Sequence, residues 1–432
     1  MKSITRPLTA ATIAIASVTA LTACQGTASG ADGSSPTVIE YAWWGSPEKD
    51  AAIFAAIESF EASHPDIKVE GESSPWDGYW DKLATMTAGG DAPDVIHMSE
   101  RYILEYGDRG ALADLETLDA LDLAPFDEKI VELGRADDST LYAIPAGLNS
   151  FVLAANLDLF EEAGVELPDD TSWTWDDFYQ ASEAVSDALG IAGADYGAKV
   201  EAFKPWVHQA GETMYNEDGT GPGFSRDTLV SFLEHIQKVG EHGGMTADQV
   251  SESAGLPVAA SLWATGKLAL NWTYSNSLGE QAAVADANMR LMRIPSETGA
   301  ATDAGMYYRG SEFYSIGASS SSEEQAAAAE FVNFMLNDPA GVEAVGMTMG
   351  VPPNTSLVEQ ISSDLKDVDA HVLEFVTDLE ADLTVQTPGP SPVGSGNIQG
   401  IFDRDILDLL YGRLTVDEAA DKMMTAIDDE LG

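Results

Sequence analysis

The chain has 432 residues, of which 72 are Asp or Glu and 21 are Lys or Arg, giving a formal net charge of −51 at neutral pH. A surface this negative repels phosphate backbones and anionic headgroups, so nucleic acid is excluded as a partner and a basic patch as a membrane contact. The acids are spread along the whole chain, which reads as solubility and salt adaptation, and one Cys excludes an internal disulfide.

Lys2 and Arg6 precede an uncharged run from Leu8 to Leu21, the pattern of a signal peptide over residues 1–23. Fourteen helical residues cover about 21 Å, short of the ~30 Å hydrocarbon core, so the run is expected to be cleaved. Leu21-Thr22-Ala23-Cys24 resembles the bacterial lipobox, in which the Cys sulfur is lipidated and becomes the first mature residue. Two acyl chains suffice for stable anchoring, which implies the outer face of the cell membrane, held through the lipid on Cys24 alone. Residues 24–36 carry Gly, Ser and Ala without large apolar groups and read as a tether reaching about 20 Å. The remainder exceeds what one core serves, so two domains are expected.

Val38 to Trp43 alternates β-branched and aromatic residues and predicts a strand. Ser46 can cap the helix that follows, with Pro47 in its first turn and Ile53, Ala56, Ile57 and Phe60 on one face before His64-Pro65 stops it. Ile67–Val69 predicts a second strand, Leu83 lies in a second helix, and Asp94–Met98 gives a third strand. Alternating strand and helix argues for a mostly parallel α/β sheet. Thr140–Leu153 breaks the rhythm with two apolar strands joined around Pro145, Gly147 and Asn149, suggesting a crossing between lobes. Helices are expected from Thr174, over Ser320–Leu336, and over Thr415–Leu431, the last with Thr415 and Glu418 in capping-box spacing. Gly350–Asn354 is a stiff turn, and Thr387–Gly400 is a Pro and Gly rich surface loop with ligand contact as the alternative.

Local catalytic signatures are absent. Gly266-Lys267 is followed by Leu268 where a P-loop needs a hydroxyl, and no G-x-S-x-G elbow occurs. The six histidines lack metal spacing, and Asn216, Asp218 and Gly219 sit at calcium-loop offsets without the first and twelfth carboxylates, which reads as a hairpin turn. No catalytic residue, metal or cofactor is therefore assigned. Acid pairs for glycoside hydrolysis carry no information among 72 carboxylates.

The aromatics are informative. Trp43, Trp44, Trp76, Tyr79, Trp80, Trp206, Trp263, Trp272 and Tyr274 mostly sit at strand ends or beside Gly, Asn or Pro, away from core helical spacing. Flat indole faces can stack on the C–H faces of sugars while acids, amides and Arg take the hydroxyls. Trp173, Trp175 and Trp263 read as packing residues; Trp44, Trp76, Trp206 and Trp272 read as cleft lining.

Several motifs then carry a resemblance: Tyr41-Ala-Trp-Trp-Gly45, Phe60-Glu-Ala-Ser-His-Pro65-Asp-Ile67, Ala92-Pro-Asp-Val-Ile96, Gly110-Ala-Leu-Ala-Asp-Leu115 and Leu141-Tyr-Ala-Ile-Pro145. Trp173-Thr-Trp-Asp-Asp-Phe178, Gly266-Lys-Leu-Ala-Leu270 and Phe331-Val-Asn-Phe-Met335 continue it in order over nearly the whole mature chain. Together these resemble the extracellular solute-binding proteins of the carbohydrate class, lipid-anchored receptors of ATP-binding-cassette (ABC) importers related in fold to maltose-binding protein. The resemblance implies a two-lobe, type II periplasmic-binding-protein-like α/β fold with the ligand cleft between lobes. One lobe would hold 36–148 plus 304–346 and the other 149–303 plus 347–432. It places ligand contacts near Trp43, Trp44, Trp76, Glu100, Asn149, Trp206, Asn271, Trp272 and Arg309. It further implies a monomer that takes a carbohydrate, an oligosaccharide first of all, and hands it to ABC permease subunits without chemical change. The competing readings are a secreted glycoside-active enzyme, which would turn its substrate over, and a receptor for a polyamine, peptide or glycerol phosphate.

Overall fold

Period-two alternation builds the first sheet. β1 (Thr37–Trp44) turns Ile39, Tyr41 and Trp43 into a core, and each is at most 1% exposed. It pairs in parallel with β2 (Ile67–Ser74) and β3 (Val95–Met98). The structure, a computed structural model, describes residues 35–136, 139–253, 256–362, 365, 367–385 and 387–432. The expected signal peptide at 1–23, Cys24 and nearly all of the tether lie outside those residues. Pro36–Gly432 forms one compact unit, and no helix among the described residues is long and apolar enough to cross a membrane.

The chain then makes β4 (Ile144–Asn149) and β5 (Phe151–Asn156), with Ser150 alone between them. β4 belongs to the first sheet and β5 to a second, completed by β6 (Ala192–Ala194), β7 (Leu268–Tyr274) and β8 (Met289–Met292). β9 (Arg309–Ile316) returns to the first sheet. The orders are β2-β1-β3-β9-β4 and β6-β7-β5-β8. The expected parallel pairing holds for β1, β2 and β3. It holds again for β6 with β7, whereas β9 pairs antiparallel with β3 and β4, and β5 pairs antiparallel with β7 and β8. These strands enter their sheets by crossing from the other lobe, so no helical crossover forces them parallel.

The predicted caps form. Ser46 Oγ accepts the Lys49 N–H at the start of helix Pro47–Ser63, and helices Trp175–Leu189, Ser322–Asn337 and Val416–Leu431 begin with complete capping boxes on Thr174, Ser321 and Thr415. The 214–222 segment is a hairpin turn, with Tyr215 bridged to Pro222. One face of the first sheet packs Tyr41 and Trp43 against Phe60 and Phe331, and the other packs Tyr79, Leu83 and Phe313. The second sheet shares a core with Phe178, Phe203, Phe232 and Phe402 from its helices.

Candidate ligand-binding gap

Sheet polarity decides what faces the second lobe. The C-terminal ends of β1, β3 and β4 and the start of the antiparallel β9 lie on one edge, bringing Trp44, Glu100, Asn149 and Arg309 to the same side. The second lobe answers with the end of β7 and the helix Val200–Gln209. Two cavities of about 560 and 370 Å³ lie here, each lined from both lobes. The larger has Glu100, Arg135 and Phe313 on one side and Lys204, His208, Tyr215 and residues 387–392 on the other. The smaller lies among Trp44, Lys49, Asn276, Glu280, Glu312 and Thr348.

Trp44 is the centre of an aromatic wall. Its half-buried ring meets Trp76 edge-on at 4.9 Å and lies 5.4 Å from Trp80, which itself lies 4.1 Å from Tyr102. Trp76, at the start of helix Trp76–Gly89, is 37% exposed. The Lys49 ammonium sits 5.2 Å above the Trp44 ring.

Charge is concentrated at the closest approach of the lobes. Glu100 Oε1 accepts from Lys204 Nζ at 2.9 Å and Oε2 accepts from Arg309 Nε at 3.1 Å, all three residues being more than nine-tenths buried. Burial pushes the Glu100 carboxyl up, but Arg309 and Lys204 outweigh it and hold the group well below the usual carboxylate range. The Arg309 guanidinium also covers the Tyr274 ring at 4.8 Å, and Arg101 pairs with Glu201 across the same gap. The 387–400 loop reaches over to this segment. Ser391 N–H donates to the Glu100 carbonyl at 3.0 Å and Ser395 Oγ to the Arg101 carbonyl at 3.3 Å. Gly396 lies flat on Tyr102, where an added Cβ would stand 2.5 Å from the ring.

Behind Trp44 runs a buried relay. Glu312 accepts from Lys49 Nζ through Oε1 and from His97 Nε2 through Oε2, both at 2.5 Å, while His97 Nδ1 meets the Tyr41 hydroxyl at 2.8 Å. Burial holds the His97 imidazole below its ordinary range despite Glu312 beside it, so the neutral ring donates from Nε2 and accepts the Tyr41 proton at Nδ1. Burial also pushes Glu312 up, yet Lys49 and His97 prevail and bring it down to about 2.

Residues 55–371 match the family described as bacterial extracellular solute-binding protein. The chain belongs to that family. An uncharacterized lipoprotein encoded 5′ of oleD in Streptomyces antibioticus is 31% identical over 169 residues, covering 37% of this chain and 36% of that one. The arabinooligosaccharide-binding protein of Bacillus subtilis is 25% identical over 187 residues, 42% of each chain. This solute-binding protein thus spans less than half the length of the curated relatives it matches. A periplasmic oligogalacturonide-binding protein from Yersinia enterocolitica, solved with digalacturonic acid, shares the fold at a TM-score of 0.80 and 24% identity, over 91% of this chain and 98% of that one.

Within this solute-binding protein, the residues expected at the ligand divide. Trp44, Glu100 and Arg309 stand on cavity walls. Trp76 joins Trp44, and Asn149 lies beside the crossing, where its Nδ2 donates to Asn276 Oδ1 at 2.8 Å and its buried Oδ1 has no partner. The other four fall elsewhere. Trp43 follows the strand alternation inward, fully buried, with Nε1 donating to Asp50 Oδ1 and its ring filling the space over Gly71. Trp272 stacks on Phe151 at 5.7 Å and 13°, 3% exposed, against Gly197. Trp206 packs on Trp175 and Phe232 and donates to Ser231 Oγ. Asn271, mid-strand opposite Ala154, reaches neither cavity. A small or polar neighbour in sequence therefore failed as a guide: Trp43 and Trp272 pack over glycines distant in sequence, Gly71 and Gly197.

Sequence reading missed Lys49, Lys204, Asn276 and Glu312. Arg309 and Glu312 inside an otherwise apolar strand, and Lys204 in the helical Phe203-Lys204-Pro205-Trp206, were the available signals, since buried charges persist only with partners.

Proposed function

We propose that this chain is the lipid-anchored receptor of an ABC importer, taking a carbohydrate between its lobes and presenting it, unaltered, to the permease subunits. The lobes are assigned to 36–148 plus 304–346 and 149–303 plus 347–432, and the anchor to Cys24 on the outer membrane face. The working form is a monomer. The observation that carries the reading is Trp44, on the wall of a cavity lined from both lobes and at the centre of an aromatic cluster with Trp76, Trp80 and Tyr102, in a chain of the solute-binding family. Indole faces bind the apolar sides of sugar rings, and Glu100, Asn149, Lys204 and Arg309 supply fixed polar points. A ligand touching both lobes favours the closed arrangement by its differential contacts, and closure is what the permeases read. Relatives named for arabinooligosaccharide and oligogalacturonide binding support a saccharide.

Tryptophan fluorescence of the mature chain against a panel of mono- and oligosaccharides tests this reading. A saturable change with a saccharide supports it. Saturation by a polyamine, peptide or glycerol phosphate instead, or appearance of cleaved product, would replace it.

A further inference from the structure

The inner wall of the larger cavity is out of electrical balance. Glu100 contributes one negative charge, and Lys204 and Arg309 contribute two positive ones. Among the described residues, neither cation is paired with any other acid. Nearby charges are already engaged or lie outward: Arg101 pairs with Glu201, and Arg135 with Glu116 and Glu132. Glu212 accepts the Ser225 N–H, and Glu217 is exposed at the rim. His208, below its ordinary range through burial, adds no charge at neutral pH; its Nδ1 meets the Gly305 carbonyl. The inner wall therefore carries one excess positive charge, with the carboxylates of Glu212 and Glu217 elsewhere on the lining of the same cavity of about 560 Å³, in a chain carrying −51 overall.

An uncompensated buried charge is costly, and neither Glu212 nor Glu217 forms an ion pair with Lys204 or Arg309. Arg309 is engaged with Glu100 through Nε and Nη2, on one carboxylate oxygen, and a guanidinium fork holds more donors than that contact uses. Lys204 likewise has three donors, with one contact to Glu100. Tyr307 and Tyr215 flank the same wall with hydroxyls suited to a sugar edge.

We propose that this wall receives a carboxylate, so that the saccharide taken by the protein is an acidic one, with Lys204 and Arg309 binding its uronate group. This rests on the carbohydrate reading above and narrows it. Glu100 then orients the two cations and, as a competing anion, keeps their hold on the ligand reversible.

The test is calorimetric titration of the mature chain with matched pairs: galacturonate and galactose, glucuronate and glucose, digalacturonate and its dimethyl ester. The acidic member of a pair is expected to bind at least tenfold tighter, with affinity falling as salt rises. Lys204→Met should erase that preference, bringing the acidic and neutral members of each pair to comparable affinity, and Glu100→Gln should strengthen the acidic one. Circular dichroism of each variant separates loss of binding from loss of fold, and the salt dependence of the unmutated chain needs no variant. Equal or tighter binding of the neutral members overturns the acidic assignment and leaves the carbohydrate reading standing. If neither member of any pair binds while another class of solute does, the carbohydrate reading falls and this inference with it.

Discussion

Replacing Glu312 by Gln isolates what the buried relay contributes. The Lys49 side chain is 8% exposed and its ammonium loses a carboxylate oxygen at 2.5 Å, whereas the Gln carbonyl can still accept the His97 Nε2–H. Stranding a buried cation costs about 3–5 kcal/mol. Lys49→Met alone leaves Glu312 with only the neutral His97, and a buried carboxylate stripped of its cation costs about 3–5 kcal/mol. The double variant removes both charges and leaves a Met stem beside a neutral amide, for which about 1–2 kcal/mol is expected. The two changes should therefore couple by several kcal/mol, far outside the additivity of independent sites. Urea unfolding of the four proteins at pH 7 and high salt, followed by far-UV circular dichroism, measures the cycle. A double variant that loses the sum of the two single losses would refute a relay held together by charge.

Acid should uncover the same carboxylate. With a folded value of about 2 against 4.5, the stability Glu312 contributes is complete above pH 4.5 and drains away as pH falls towards 2, so Glu312→Gln should show a shallower acid limb in a pH series of unfolding midpoints. Trp272→Ala, which empties a core position, is expected to cost about 3–5 kcal/mol of stability, and unchanged melting would show that the ring is not packed as described. Trp44→Ala should weaken saccharide binding by about 1–3 kcal/mol, 5- to 150-fold in Kd by titration, with the fold retained by circular dichroism. Gly396→Leu drives a side chain into Tyr102, so the 387–400 loop should detach from the first lobe, visible as faster amide exchange at Ser391 and Ser395.

Sequence and structure agree best where the signal is local. The strand at Val38–Trp43, the cap at Ser46, the helix start at Thr174 and the capping box at Thr415 each depend on a few adjacent residues, and each formed within a residue or two of its expected place. Sheet polarity was legible for β1 to β3 and for β6 with β7, but not for β9, which reaches its neighbour from more than two hundred residues away. At the gap, sequence could nominate Trp44, Glu100 and Arg309 but could not tell Trp43 from Trp44. Adjacent residues on a strand face opposite ways, and which way is inward depends on the helices that cover the sheet. Lys204 and Glu312 stayed hidden because a charged residue announces itself only when its burial and partner are known.

One residue, Ser150, separates a strand of one sheet from a strand of the other. So short a link leaves swivelling as the available freedom and suppresses sliding. With strands spaced about 4.8 Å apart, β2 stands roughly 19 Å from β4 across the first sheet. Displacement during any swivel scales with that lever arm: Asn149, at the pivot, hardly shifts, while Trp76, just past β2, moves further. A fluorophore placed near Trp76 would accordingly register small angular changes that a probe at the pivot would miss.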